Sequence, residues 1–429
     1  MADDAPDLGA VAAAVASNLV APVGVVALGW SATVLLGVFA VEFAALSAWS
    51  LVKMPFAAKR PRSYVERSRI AGLLHRVRGS ISLPGPIPPV YPRNLMVIIG
   101  GVVFGAVGVV LTLALFGYVA SGGVTEQEAG ALGLGALSVF VLRGGETYIE
   151  YFRRRGYRDH SARSAFYEPL TTLFGVGFLF AAAIAIDATG VVDASRSGEV
   201  LALLVVGKIA LDVRGLQIEA DDDRYGILAR MFGGKDVELD PEPIDEPDGE
   251  PELRVRPPRA AAVADAGFRV IVYLATNGIS LFALAAAVVA GLIGGPSLAL
   301  AVAAALLLPF AAARALARYL TYGAVEYRCY DGLLVVHSTL LDAGQQRLRR
   351  QAVDGVEIDR DLVDRAFDTE TLDLDAEEPD ETPDFGLPDP DEDPDVDVNT
   401  DRPRTLPHVR EPGAIVDAMG VRWILEREQ

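Results

Sequence analysis

Glu42, Lys208 and Asp212 are ionisable residues set inside long apolar runs. A charge in such a place is costly unless it is paired or hydrated, so each is a candidate for function by default. Lys208 and Asp212 share one face of a helix, at i and i+4, and can pair with each other. In a transport reading, Glu42 exchanges partners with Lys208 during a proton- or ion-coupled cycle. In a structural reading, these residues form a static ion pair between helices, or Asp212 snorkels to the membrane surface beside Arg214. The position of Lys208 and Asp212 near the end of a span favours the structural reading. Asn18 precedes Pro22 in the first apolar run. It either caps a broken helix or lines a polar cavity, because backbone groups freed by a break need partners in lipid; capping is favoured.

Other chemistry is sparse. The single cysteine, Cys329, excludes an internal disulfide and a multi-cysteine zinc site. His75, His160, His337 and His408 are scattered without metal-ligand spacing. No Walker loop, GxSxG elbow, HExxH, CxxC or paired-aspartate protease motif occurs. The sequence therefore predicts neither an enzyme nor a cofactor. A net charge of −19 disfavours nucleic acid as a partner. Arg347, Arg349 and Arg350 form a small basic cluster, a candidate interaction patch. In so acidic a setting, a protein partner or self-association is favoured over lipid headgroups.

The elements that must carry these residues are mostly membrane helices. The chain has 429 residues, 51% of them hydrophobic, and its mean hydropathy is +0.32 despite the acidic surplus. Apolar residues must then lie in long blocks apart from the acids. A span needs about 20 mostly apolar residues. The block 8–52 is too long for one span and is interrupted at Pro22 and Gly24, which predicts a lead-in over 8–22 and a span near 23–49. Whether the lead-in crosses stays open. Further spans fall near 95–118, 128–142, 169–188 and 199–213, and a hairpin of two near 268–293 and 296–316 turns at Gly294-Gly295-Pro296. The 128–142 stretch is short and glycine-rich. That makes seven spans, or eight with the lead-in. Gly101-xxx-Gly105 matches a small-residue helix contact.

Orientation follows from lysine and arginine in short loops. Residues 53–93 hold nine bases against one acid, and 143–163 hold six bases, while 121–127 hold none. The alternation puts both basic loops, the 219–259 linker and the C-terminal domain in the cytoplasm of a cell-membrane protein. The segment 146–163 mixes Tyr148, Tyr151, Phe152 and Tyr157 with bases and reads as a stretch at the inner leaflet surface; its bases could touch lipid headgroups, but positive-inside anchoring alone accounts for them. The N-terminal MADDAPD is acidic where a signal peptide needs bases, so the helices themselves direct insertion.

Two stretches read as acidic, proline-broken linkers: 219–252 with thirteen acids and 373–401 with fourteen. Four lysines against 57 acids describe a chain kept soluble in screening salt, which reads as the protein of an extreme halophile.

Asn18-Leu19-Val20-Ala21-Pro22-Val23-Gly24, Gly29-Trp30, Glu42, Lys53-Met54, Arg155-Gly156-Tyr157-Arg158 and Gly207-Lys208-Ile209-Ala210-Leu211-Asp212-Val213 occur in that order. Together they resemble an uncharacterised multi-pass membrane family of halophilic archaea and bacteria (domain of unknown function 6498). The resemblance covers about 8–219 and implies no established chemistry. Some family members place histidine where this chain has Arg143 and Arg214, which argues against a metal site.

Downstream, strands are predicted over 324–331, 333–341, 345–350, 353–359, 369–375 and 405–409, with a helical link at 361–367. A closing helix over 412–425 puts Ile415, Met419, Trp423 and Val416 on one face. Glu326-Tyr327-Arg328, Asp331-Gly332-Leu333-Leu334-Val335, Val356-Glu357 and Asp364-Arg365-Ala366-Phe367-Asp368-Thr369 resemble the bacterial PH-like (YdbS-like) domain, which implies a β-barrel capped by a helix and set after a two-helix hairpin. The expected architecture is a multi-pass α-helical membrane protein with a C-terminal PH-like barrel. Its parts are a helical module (1–219), an acidic linker (220–266), a transmembrane hairpin (267–320) and a PH-like domain (321–429) with an acidic insert at 377–401.

Overall fold

The computed structural model describes residues 23–61, 74, 77–121, 123–189, 205–207, 238–239, 244–276, 278–375 and 405–424. Asn18, the lead-in, Lys208, Asp212, most of the span at 199–213 and the insert at 377–401 lie outside the described residues. The chain divides into two compact units, Met1–Tyr64 with Val97–Asp240 and Val65–Met96 with Pro241–Gln429.

The first unit is a helical bundle built around α1 (Ala32–Lys53). The single span expected over 23–49 is broken: residues 23–28 are helical, the chain opens at Gly29-Trp30, and α1 starts anew from Ser31. The Ser31 hydroxyl caps the helix by accepting the Val34 N–H. Seven consecutive residues, Val34 to Ala40, are buried, so this part of α1 is covered on every side. That explains why it is apolar all round rather than amphipathic.

Three helices surround it: α2 (Leu95–Val119), α3 (Glu126–Glu146) and α4 (Tyr167–Thr189). Gly101, Gly105 and Gly108 of α2 face Leu51, Ser47 and Phe43 of α1, so the two helices run antiparallel. Ser31 donates to Glu128 at the start of α3, and Trp49 packs on Gly144 near its end, so α1 and α3 run parallel. The Trp49 indole N–H donates to the Phe140 carbonyl. Val176, Leu179 and Phe180 of α4 pack with Leu35, Leu36 and Phe39. The small residues of α2 admit this close approach. A Cβ on Gly108 would stand 2.4 Å from the buried Phe43 ring, whereas one on Gly117 would meet open space. Gly108→Val is therefore expected to cost at least about 1–3 kcal/mol by overpacking. Gly117→Val should cost less than half of that, as read by detergent-titrated unfolding; equal effects would contradict the packing.

Among the described residues, three helices are long and apolar enough to cross a membrane: Ala32–Phe56, Pro92–Val119 and Gly294–Gly323. A bent pair, Arg259–Thr276 with Ser280–Leu292, brings the number to four if it counts as one span. Of the seven spans expected, the one at 199–213 lies mostly outside the described residues. α3 is not among the helices long and apolar enough, as its glycines, Glu126, Glu128, Arg143 and Glu146 suggest.

The second unit joins a helical hairpin to two antiparallel sheets. β1 (Leu253–Val255) precedes the hairpin and pairs with β2 (Val325–Tyr330), which follows it. α5 (Arg259–Thr276) and α6 (Gly278–Arg318) are thus an insertion between neighbouring strands. α6 breaks at Gly295, whose φ of 80° only glycine adopts freely, and Pro296 follows. β3 (Leu333–Ser338) and β4 (Ala343–Arg349) complete a sheet of order β1-β2-β3-β4. A second sheet has the order β5-β6-β7, from β5 (Gly355–Asp359), β6 (Glu370–Asp375) and β7 (Thr405–Val409). Between β5 and β6 lies the short helix α7 (Leu362–Phe367), and α8 (Pro412–Met419) follows β7.

Three expectations change here. The strands form two separate sheets and do not close into a barrel among the described residues; β4 and β5, joined by a 3₁₀ turn at Arg350–Ala352, are not paired. Part of the stretch read as linker is ordered: Leu253 and Val255 pack on the sheet core, and Glu246 binds Arg328 and His337. The last helix stops at Gly420, so Ile415, Val416 and Met419 are buried as expected while Trp423 is 55% exposed.

Candidate functional site

A buried polar cluster of the second unit lies where the hairpin meets the second sheet. Asp265, one turn into α5, is 1% exposed. Arg318, the last residue of α6, donates from Nε to Asp265 Oδ2 at 2.6 Å. Arg269, one turn further along α5, donates to Asp265 Oδ1 at 3.2 Å and to Asp361 Oδ2 at 3.3 Å. His408 of β7 completes the set: its Nε2 lies 3.8 Å from Asp265 Oδ2 and its Nδ1 2.8 Å from Asp364 Oδ1.

Local sequence explains the placement. Asp361 and Asp364 form a capping box that starts α7, with Asp361 accepting the N–H groups of Val363 and Asp364. Asp364 then accepts hydroxyls from Thr369 and Thr371 at 2.6 and 2.7 Å. The two threonines alternate along the strand, so both face the same side. His408 has a φ of 61°, a conformation in which histidine is enriched among non-glycine residues. Burial would lower the His408 pKa, but the two carboxylates outweigh it and hold it above 6.5. Burial would raise that of Asp364, yet Thr369, Thr371 and His408 keep it below 3.8. The arrangement favours the protonated form of the buried imidazole and ties hairpin to sheet.

A second charged set lies in the first unit. Glu42, 6% exposed, accepts a hydrogen bond from Arg143 Nη2 at 3.0 Å. Arg143 also meets Glu146 and Glu168, each at 3.1 Å, and Lys53 stands 3.9 Å from Glu168. Of the residues singled out from sequence, Glu42 is thus paired with Arg143, near the end of α3, while Lys208 lies outside the described residues.

Arg347 and Arg349 project from β4 into solvent, alternating with the buried Leu348. Arg350 is also exposed, but it leaves the strand and packs its guanidinium beside Gly420. The cluster is a strand face of two arginines with a third set apart. Glu246 is braced by Arg328 at 2.7 Å and His337 at 2.5 Å; burial would raise its pKa, and these two partners hold it below 4.5. Burial pushes the Cys329 thiol up to about 12, so it is a core residue rather than a nucleophile. Among the described residues no three His, Cys, Asp or Glu side chains gather as metal ligands.

The profile of a family of unknown function (DUF6498) matches residues 2–225, more than half of the chain. The chain belongs to this family. Curated proteins and solved structures give no match. The matched segment contains the whole Glu42–Arg143–Glu168 set, while the His408 junction lies outside it. Sequence reasoning missed Arg143, Asp265, Asp364 and His408 as site residues. Asp364 stood inside the quoted Asp-Arg-Ala-Phe-Asp-Thr run, and Asp265 stood just ahead of an apolar span. His408 carried no signal, because its partners are 44 and 143 residues away.

Proposed function

We propose that this protein is a multi-pass anchor of the cell membrane that presents a cytoplasmic PH-like domain to protein partners or to further copies of itself. The observation that carries the reading is the buried Asp265–Arg318–His408–Asp364 network. It spends the charged groups of the junction on holding the sheets to the hairpin and leaves the Arg347–Arg349 strand face exposed. Such a unit displays a surface rather than performs chemistry. A four-stranded and a three-stranded antiparallel sheet followed by a helix support the PH-like assignment.

Orientation rests on the positive-inside rule. The Gln345 side-chain amide accepts the Arg78 backbone N–H and donates to the Arg78 carbonyl, while the Arg78 guanidinium donates to the Gln345 backbone carbonyl, which favours one compartment for the basic 53–93 segment and the sheet. The lysine-poor, acidic composition supports reading the source as a halophile.

Crosslinked capture from native membranes in high salt tests the reading, comparing the natural chain with the double variant Arg347→Glu and Arg349→Glu. A partner lost by at least about ten-fold in the variant is the expected result, as for a desolvated arginine contact. Identical recovery would move function into the helices. A transport core is the second reading, favoured by the buried Glu42–Arg143 pair. Glu42→Gln that inserts normally yet abolishes an ion flux would promote it.

A further inference from the structure

Along α3 the exposed side chains change character in one direction. Leu134, Leu137, Phe140 and Val141 are exposed and apolar, then Tyr148 and Ile149 follow, then the arginines of 153–158. That is the order hydrocarbon, interface and phosphate present to a helix leaving a bilayer. Residues 153–158 contain four arginines and no carboxylate, within a chain of net charge −19. Arg153, Arg155 and Arg158 are all exposed.

The turn that carries them is fixed. α3 passes into a π-helical turn at Thr147–Arg153, and Arg155 takes a left-handed φ of 62°. Gly156 then passes so close to the turn that a Cβ would stand 2.9 Å from the Glu150 carbonyl oxygen. Tyr151 donates its hydroxyl to the Lys53 carbonyl, and the Tyr157 and His160 carbonyls accept the N–H groups of Ala58 and Lys59. The arginine turn is thus tied to the exit of α1, which is apolar enough to cross a membrane, whereas α3 by itself is not.

We propose that the arginine turn 153–158 binds the phosphates of anionic phospholipids and that this contact holds the weakly apolar α3 at its depth. The proposal rests on the reading that the first unit lies in a bilayer. Guanidinium groups suit phosphate because they offer paired donors, and the neighbouring Tyr148 sets them at headgroup level. The lipid, rather than an acidic protein, is favoured because the apolar-to-basic gradient runs along one helix.

The test uses the full chain in detergent, offered equal amounts of phosphatidylglycerol and phosphatidylcholine, with bound lipid counted by native mass spectrometry. The natural chain is expected to retain phosphatidylglycerol preferentially. Arg153→Gln with Arg155→Gln should lower that preference about ten-fold, whereas Arg347→Gln with Arg349→Gln should keep it. Equal retention of both lipids by the natural chain, or an unchanged preference in the first variant, overturns the proposal. Should the double variant fold poorly, Arg158→Gln alone decides, with a fall of about three-fold expected and none overturning it. A natural chain that stays dispersed in water once detergent is removed would instead sink the bilayer reading, and that is measured before any lipid is added.

Discussion

Replacing Arg143 by alanine is expected to be among the most damaging single changes in the helical bundle, at about 3–5 kcal/mol, because it removes the buried guanidinium that three carboxylates share. Glu42 would keep its charge among α1, α3 and α4 with its 3.0 Å partner gone, and Glu146 and Glu168 would lose the same base. Glu42→Gln removes the charge and keeps the volume, so it should cost less, within about 1–2 kcal/mol for one lost charged hydrogen bond. Combining Glu42→Gln with Arg143→Leu should recover much of the loss, since an apolar replacement of a whole buried pair is often close to neutral. Detergent-titrated unfolding of the four chains gives the coupling energy directly. If Arg143→Ala unfolds at the same point as the natural chain, the pair is not a structural element and Glu42 returns as a coupling residue for transport.

That result also bears on what a sequence can disclose about a buried charge. Glu42 was conspicuous because it interrupts an apolar run. Its partner was not, because Arg143 sits at a helix end beside a basic loop, where arginine is expected for topology alone. The two are 101 residues apart, and only the parallel packing of α1 on α3 brings them together. The same packing rewrote the first span. Gly29-Trp30 was visible as a motif, but the break there depends on Trp30 filling the space beside Gly24 and Gly135. Periodicity reports which residues are apolar, and it does not report which neighbour they meet.

The sheet unit was more legible. Alternation predicts strands over 324–331 and 333–341, and the structure has them at Val325–Tyr330 and Leu333–Ser338, because each has one face in the core, with Tyr327, Cys329, Leu334 and Val336 buried. β1 escaped notice for a physical reason: three residues following a proline-rich acidic stretch carry little pattern, and their partner strand lies beyond a two-helix insertion. Trp423 was assigned to the buried face by extending the helical period past Gly420, where the helix has already ended. The patch Arg347, Arg349 and Arg350 looked continuous in sequence, yet the 3₁₀ turn at Arg350–Ala352 divides it.

The second large effect is expected at His408, and it depends on pH. Around it stand Asp265 and Arg269 from α5, Arg318 from α6, Asp364 from α7 and Asp361 at its N-cap, with the hydroxyls of Thr371 from β6 and of Thr369 just before it. Three carboxylates face two guanidiniums, so the cluster is balanced when the imidazole is protonated. The His408 pKa is raised above 6.5 in the folded protein. Its stabilising contribution is then fully present below pH 6.5 and is lost as pH rises through the folded value. The Asp364 pKa is depressed below 3.8, so its contribution is present above pH 3.8 and is lost as pH falls through the folded value. The junction should therefore be firmest from about pH 4 to 6.5 and loosen on the alkaline side. His408→Ala leaves Asp265 and Asp364 without the cation between them and should cost about 3–5 kcal/mol at pH 6. His408→Asn separates charge from backbone, because asparagine also tolerates the left-handed φ of 61°. Hydrogen exchange in β7 and α8, followed from pH 5 to 9, should show protection falling in the natural chain and a flat profile in His408→Asn. The same slope in both would mean that the imidazole is neutral throughout, and that the sheets are held to the hairpin by Asp265 and its two arginines alone.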